Sequence, residues 1–327
     1  MKLFITGSTG YLGHQFTLAA AKKGYFINAL IRNENDPNRP LHPNIRFYNG
    51  DITDFESVAE AIKGCDVVFH FAALTQLWNK DRSLFYKINV GGTRNVLEAA
   101  AHHGVKKLVY TSTCAVYGPS FTKPISEDDP RLTAFENDYE ISKHCAEELV
   151  KEFSRKGLFT VIVCPPRLYG PGIETQGNPI NALIKKIIRK KLAAVPGAKE
   201  VVGNYAFIDD VVEGHFLAMQ KGLGGEKYIL GGENVSYGKF FTTIKECEQN
   251  TIKLITIPKF LLKVWAAFVY IIHLLIKKHT HISPSLIERL FQNRAVSCAK
   301  AQRQLGYQIT PFIQGIYQTI QYLKTKK

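Results

Sequence analysis

Apolar residues in this chain gather into short runs, each closed by glycine or a polar turn and followed by a stretch of helical periodicity. Lys2 to Thr6 reads K-L-F-I-T, a run suited to a strand buried on both faces. Gln15 to Lys23 then reads as a helix that ends at Gly24. Tyr25 to Ile31, Ile45 to Tyr48, Val67 to Ala73, Lys107 to Thr111 and Val161 to Cys164 repeat the apolar run. This alternation of strand and helix predicts an α/β fold built on a doubly wound parallel sheet. One later segment breaks the pattern: Pro258 to Lys278 is almost continuously apolar, with lysines at both ends.

The turn between the first strand and the first helix is G-S-T-G-Y-L-G, Gly7 to Gly13. Glycine lets a backbone turn tightly and approach a pyrophosphate, and a helix N-terminus offers free N–H groups and a positive dipole end. Strand, glycine turn and helix in this order are the context a dinucleotide site needs. Gly7, Thr9, Gly10, Tyr11, Leu12 and Gly13 are therefore the expected pyrophosphate loop. The second strand ends Leu30-Ile31-Arg32, without the carboxylate that would hold a free ribose 2′-hydroxyl. A guanidinium suits a 2′-phosphate instead. Arg32 thus favours NADP(H), with NAD(H) as the alternative if Arg32 is only a solvated surface charge.

Tyr139 and Lys143 stand four apart in Y-E-I-S-K, so on a helix they share one face. Phenol ionises near pH 10, and a nearby ammonium favours phenolate. Such a tyrosine can take a proton from an alcohol as hydride leaves, or return it in reduction.

Glycine loop and Y-x-x-x-K pair together resemble the short-chain dehydrogenase/reductase superfamily in its extended form, the NAD-dependent epimerase/dehydratase group. The G-x-x-G-x-x-G spacing differs from the G-x-G-x-x-G of other dehydrogenases. The resemblance places Thr113, in T-S-T-C-A-V-Y-G, at the family's catalytic serine/threonine position, with Ser112 beside it as a possible contributor. It gives Lys143 a hydrogen bond to the nicotinamide ribose. It makes Asp51 and Ile52 an adenine contact, Ala72 and Ala73 the small turn beneath the cofactor, and Pro165 the border of the nicotinamide. Asn89, in N-V-G-G-T, resembles the family's structural asparagine, although from the residues alone it reads equally as a helix cap. P-R-L-Y-G-P-G at Pro166–Gly172 and Y-A-F-I-D-D-V at Tyr205–Val211 continue the likeness, which covers roughly residues 1 to 245. It implies a Rossmann domain over 1–172, completed by about 205–232. A smaller, mostly C-terminal substrate domain would cover 173–327.

The chain has 327 residues, 45% of them hydrophobic, enough to bury a full core. Six cysteines show neither C-x-x-C nor a metal spacing, and no metal site is expected. They read as reduced thiols, which points to the cytoplasm. With a strand starting at residue 2, no signal peptide is expected. The net charge of +14 is uneven: from Thr251 to Lys327 twelve lysines and arginines face one acid, Glu288. Nucleic acid is one partner for such charge, but the neighbouring sequence argues against it. Phe260 to Ile276 would span about 25 Å as a helix, short for a bilayer crossing. Lys259, Lys263, Ala266, Tyr270, His273 and Lys277 would form a narrow small-or-polar stripe on it. Either it lies on an anionic membrane surface, or it packs on the core. A homodimer is the other assembly considered.

Within the extended family the chain looks closest to the dihydroflavonol reductase and 3β-hydroxysteroid dehydrogenase branch. The expected reaction is hydride transfer between NADP(H) and a ketone or secondary alcohol of an apolar sterol-, lipid- or flavonol-like substrate. The alternative is a nucleotide-sugar epimerase or dehydratase with bound NAD, for which Gly177-Asn178-Pro179 and Arg294 would be remnants of the sugar-nucleotide site. Cys114 and Ala115 follow Thr113 where a dehydratase places an acidic pair.

Overall fold

The computed structural model describes residues 1–76, 78–275 and 288–326, with side chains between 270 and 275 left out. Its main sheet has seven strands, all parallel, in the order β10-β6-β5-β4-β1-β2-β3. These are β1 (Lys2–Thr6), β2 (Phe26–Ile31), β3 (Ile45–Asn49), β4 (Val67–His70), β5 (Lys107–Thr111), β6 (Thr160–Cys164) and β10 (Lys227–Ile229). Successive side chains of β1 enter opposite cores: Leu3 and Ile5 on one face, Phe4 on the other. That is why the strand runs are apolar throughout rather than alternating.

On the first face lie α1 (Tyr11–Lys22), α7 (Ile208–Lys221) and, near the C-terminus, α10 (Ala299–Leu305). Phe16, Phe216 and Leu305 pack there. On the second lie α2 (Phe55–Ile62), α4 (Gly92–His102) and α5 (Asp138–Arg155), contributing Val58, Val96, Ala146 and Val150. The expected α/β class and parallel doubly wound sheet are thus observed.

After β6 the chain leaves this sheet and returns only for β10. The excursion and the residues after β10 build a second layer with its own core. A three-stranded sheet, β11-β9-β7, joins β7 (Arg167–Tyr169), β9 (Val202–Phe207) and β11 (Glu233–Ser236). Helices α6 (Pro179–Lys190), α8 (Tyr237–Cys247) and α11 (Phe312–Thr325) cover it. Their Ile184, Phe240 and Phe312 pack with Tyr169 and Tyr205. A separate parallel pair joins β8 (Leu192–Pro196) and β12 (Lys253–Ile257).

The apolar segment is helical from Lys259 to Leu275, α9. Of its small-or-polar stripe, the side chains of Tyr270 and His273 lie outside the described residues, and of those described only Ala266 turns inward. Ala266 is fully buried, and Lys259 and Lys263 both pair with Glu288. Phe260, Val264 and Phe268, each more than 60% exposed, face outward with Trp265. Lys277 and Lys278 lie outside the described residues. Among the described residues, no helix is long and apolar enough to cross a membrane.

Candidate active site

In a sheet of this order the crevice for a ligand opens at the C-terminal ends of the strands, beside the switch between β1 and β4. The glycine loop is placed there. Gly7 adopts φ +77°, and a Cβ on it would stand 2.6 Å from the Ala72 nitrogen. A Cβ on Gly13 would run into the Gly7 carbonyl oxygen. Both glycines are demanded by packing of the loop on itself and on the turn after β4. Gly10, the N-cap of α1, contributes no side-chain cap, so the first N–H groups of the helix are left to a ligand. The buried Ser8 hydroxyl beside them has no partner among the described residues. An uncapped helix start, a glycine cradle and an orphaned hydroxyl fit a dinucleotide pyrophosphate.

A buried polar chain ties this loop to the catalytic helix. The Thr6 hydroxyl meets His70 Nδ1 at 2.6 Å and accepts the Ala72 N–H at 3.2 Å. His70 Nε2 meets the Thr93 hydroxyl at 3.0 Å, and that hydroxyl donates to the Asn89 carbonyl at 2.6 Å. The Asn89 side chain takes both backbone groups of Leu74, then donates to the Ser142 hydroxyl at 2.9 Å. Ser142 donates to the Tyr139 carbonyl at 3.0 Å. Burial holds His70 down to about 3, so it serves this chain as a neutral ring. Asn89 is therefore not a helix cap. It sits inside a π-helical turn, Tyr86–Gly91, that continues into α4, and it pins the strand-to-loop turn. Gly92 is glycine because a Cβ would overlap the Ile52 side chain.

Thr113 follows β5 and caps a 3₁₀ turn, Cys114–Tyr117, its hydroxyl accepting the Ala115 N–H at 3.2 Å. Tyr139 stands in the first turn of α5, whose cap is Asn137. Burial pushes Tyr139 up to about 12, against a lowering hydrogen bond from Thr113. Lys143, one turn on, donates to the Thr111 carbonyl at 2.7 Å and lies 4.2 Å from the Tyr110 ring. Burial pushes it down to about 7, with Glu147 opposing. The structure thus brings Thr113, Tyr139 and Lys143 together.

Ser112 faces the other way. Its hydroxyl donates to the buried Glu147 carboxylate, which Lys227 holds at 2.6 Å. The expectation that it contributes alongside Thr113 is corrected: its donor is taken up beneath the site. After burial, the Thr113 hydrogen bond and the Glu140 charge, the Arg289 guanidinium also acts on Tyr139 and lowers it; Arg289 bonds Glu140 Oε1 at 2.6 Å. Arg289 lies in the weakly matching C-terminal stretch, and nothing local marked it.

Pro165 is buried after β6, and its carbonyl accepts the Cys114 N–H at 3.0 Å. Asp51 Oδ1 accepts the Thr53 N–H at 2.8 Å, and the Ile52 carbonyl accepts from Asn95 at 2.9 Å. Ala72 and Ala73 follow β4 beside Gly7, and Arg32 stands exposed at the end of β2. All lie at the C-terminal edge of the sheet.

Parallel order, glycine loop and Thr-Tyr-Lys constellation define a nucleotide-dependent enzyme of Rossmann type. The chain belongs to the NAD dependent epimerase/dehydratase family, whose profile matches residues 3–231. It is 32% identical over 246 residues to a putative dihydroflavonol 4-reductase of Synechocystis sp., covering 71% of this chain and 68% of the relative. It is 25% identical over 327 residues to a 3-beta-hydroxysteroid dehydrogenase of Mycolicibacterium neoaurum, covering 94% and 87%. The crystal structure of UDP-glucose 4-epimerase from Thermotoga maritima superposes with a TM-score of 0.82 at 21% identity, covering 100% and 99%. That likeness is one of fold. The chain is an NAD(P)-dependent oxidoreductase acting on CH–OH and ketone groups.

Proposed function

We propose that the chain transfers hydride between NADP(H) and the ketone or secondary alcohol of an apolar substrate, of sterol, lipid or flavonol type. The observation that carries this is the convergence of Thr113, Tyr139 and Lys143 at the strand ends beside the glycine loop. When bound, the cofactor supplies or accepts the hydride. The chain's residues do the rest. The Thr113 hydroxyl holds the substrate oxygen and steadies developing negative charge. The Tyr139 hydroxyl gives its proton to that oxygen in reduction and takes it back in oxidation. Burial favours the neutral form of both groups, pushing Tyr139 up to about 12 and Lys143 down to about 7. Arg289 favours the phenolate that forms when the proton leaves.

The substrate class rests on the named relatives, which include a sterol demethylase protein and a farnesyl-quinoline ketoreductase. The NADP preference rests on Arg32 and on the absence of an acid at the end of β2. The enzyme is taken as cytoplasmic, and the outward apolar face of α9 suits docking either on an anionic lipid surface or on a second copy of the chain. Light scattering beside vesicle sedimentation separates the two. The second reading, a nucleotide-sugar epimerase or dehydratase with NAD, would use the same three residues. A screen of apolar ketones, their alcohols and nucleotide sugars, with both cofactors, tests the proposal. Turnover of nucleotide sugars alone would overturn it.

A further inference from the structure

We propose that Arg167 and Arg294 form an oxyanion subsite at the substrate end of the cleft. This rests on the reading above and narrows it: the apolar substrate carries a carboxylate or phosphate.

Arg167 opens β7, two residues after Pro165, whose carbonyl holds the Cys114 backbone beside Thr113. It is therefore close in the chain to the reacting centre. Its guanidinium lies against Gly203 of β9, in space a Cβ there would fill, and over the Tyr205 ring at 5.6 Å. It is half-buried and has no hydrogen-bond acceptor or carboxylate partner among the described residues.

Arg294 meets the same glycine, on the edge of β9 that β7 also pairs. Its N–H donates to the Val202 carbonyl at 2.8 Å, and it bridges to Gly203. Its Nη2 bonds Glu136 at 2.7 Å and Gln292 at 3.1 Å. Its Nε and Nη1 are buried with no partner, on a side chain only 10% exposed. A buried cationic donor left without an acceptor is costly.

The surrounding charges do not balance. Arg131, Arg289 and Arg294 share two carboxylates, Glu136 and Glu140, and Arg167 adds a further cation. A purely structural ion-pair cluster would pair its charges. Burial, then the charge of Arg289, press Arg294 down to about 10 although Glu136 and Glu140 oppose them, with Arg167 adding a smaller push in the same direction. Guanidinium forks match planar or tetrahedral oxyanions. One such group would complete both arginines while the apolar body of the substrate lies in the cleft.

The test uses the full chain with saturating oxidised cofactor, so that the glycine loop cannot report anion binding. Inorganic phosphate and acetate are titrated calorimetrically into wild type, Arg167→Met, Arg294→Lys and the surface control Arg303→Met. Saturable binding that weakens at least tenfold in Arg167→Met and Arg294→Lys but not in the control is expected. The preferred probe tells phosphate from carboxylate. Equal affinity in all four proteins, or no binding to wild type, overturns the subsite. In parallel, apolar keto acids are compared with their methyl esters in hydride transfer. Acids favoured at least tenfold in kcat/KM by wild type, and not by Arg167→Met, support it. Esters turned over as fast as acids overturn the subsite and leave the reductase reading standing. Arginine-dependent anion binding with no ketone turned over would sink the reductase reading alone.

Discussion

On the cofactor side of the cleft, polar groups answer one another. Thr6, His70, Thr93, Asn89 and Ser142 form one continuous chain of hydrogen bonds from the glycine loop to Tyr139. On the substrate side, Arg167 and two edges of Arg294 have donors with no acceptor among the described residues. Apart from Ser8 and the uncapped start of α1, which await the pyrophosphate, the first side is organised before anything binds, as a shared cofactor requires. The second is completed only by what it binds, and there a family diverges in substrate. Rigidity and vacancy of hydrogen bonding thus divide the common chemistry from the particular recognition.

The sharpest way to break this division is at Tyr139. Tyr139→Phe should lower kcat by roughly 10²- to 10⁴-fold, the usual range for a lost proton donor. Cofactor affinity should stay near wild type. A variant with wild-type kcat would remove the proposed mechanism. Next in size is Gly13→Ala, which forces a Cβ onto the Gly7 carbonyl. It should weaken cofactor binding by roughly tenfold or more, on the order of 1–3 kcal/mol of overpacking. Fluorescence titration of the reduced cofactor checks it, and anion binding at Arg167 should survive.

Lys143 gives a pH signature of the closed side. Its folded value near 7 lies below the 10.5 of the free side chain. The unfolded chain therefore binds more protons between these values, and stability rises with pH across that window. The burial penalty is full below about 7 and gone above about 10.5. Denaturant titrations should show wild type gaining on Lys143→Met from pH 7 to 10. A constant difference would mean Lys143 stays charged in the fold.

Smaller effects sharpen the edges. Arg32→Glu should reverse the ratio of kcat/KM for NADPH over NADH, because it removes a 2′-phosphate partner and supplies a 2′-hydroxyl one. An unchanged ratio leaves Arg32 a surface charge. Smallest is the lipid contact of α9. Burying its apolar face is worth about 25 cal/mol per Å². Phe260→Ser, Val264→Ser and Phe268→Ser together should abolish sedimentation with anionic vesicles at low salt. Wild type that stays in the supernatant returns this face to a protein interface.

What could be read in advance followed locality. The glycine loop and the Tyr139–Lys143 pair lie within seven and five residues, and helix geometry alone puts the pair on one face. The strands were visible because burial on both faces keeps them apolar end to end. Of the clustered arginines only Arg294 stood out, and then as a remnant of a nucleotide-sugar site rather than as part of a group. Arg131, Arg167 and the pair Arg289 and Arg294 come from three segments, and only the tertiary fold brings Arg289 and Arg294 to Glu136 and Glu140, with Arg167 beside Arg294. Ser112 misled because adjacent strand residues point opposite ways, so nearness to Thr113 placed it on the other side. The stripe on α9 was legible as a pattern but not in direction. Ala266 turns inward, while Lys259 and Lys263 pair with Glu288, the sole acid from Thr251 onward.

The ion pair between Glu147 and Lys227 has a consequence for how the enzyme is made. Glu147 is buried on the catalytic helix, and Lys227 arrives eighty residues later at the start of β10. A nascent chain that has just completed the Tyr139–Lys143 helix therefore cannot bury Glu147 as an ion pair. It must leave that carboxylate in water, with the sheet edge at β6 unpaired, until residue 227 clears the ribosome. The intervening part of the second layer, from β7 to β9, is thus synthesised while the first is still open. The enzyme's two halves should become stable together rather than in turn, and a fragment ending before Lys227 should be a poor folder however complete its motifs.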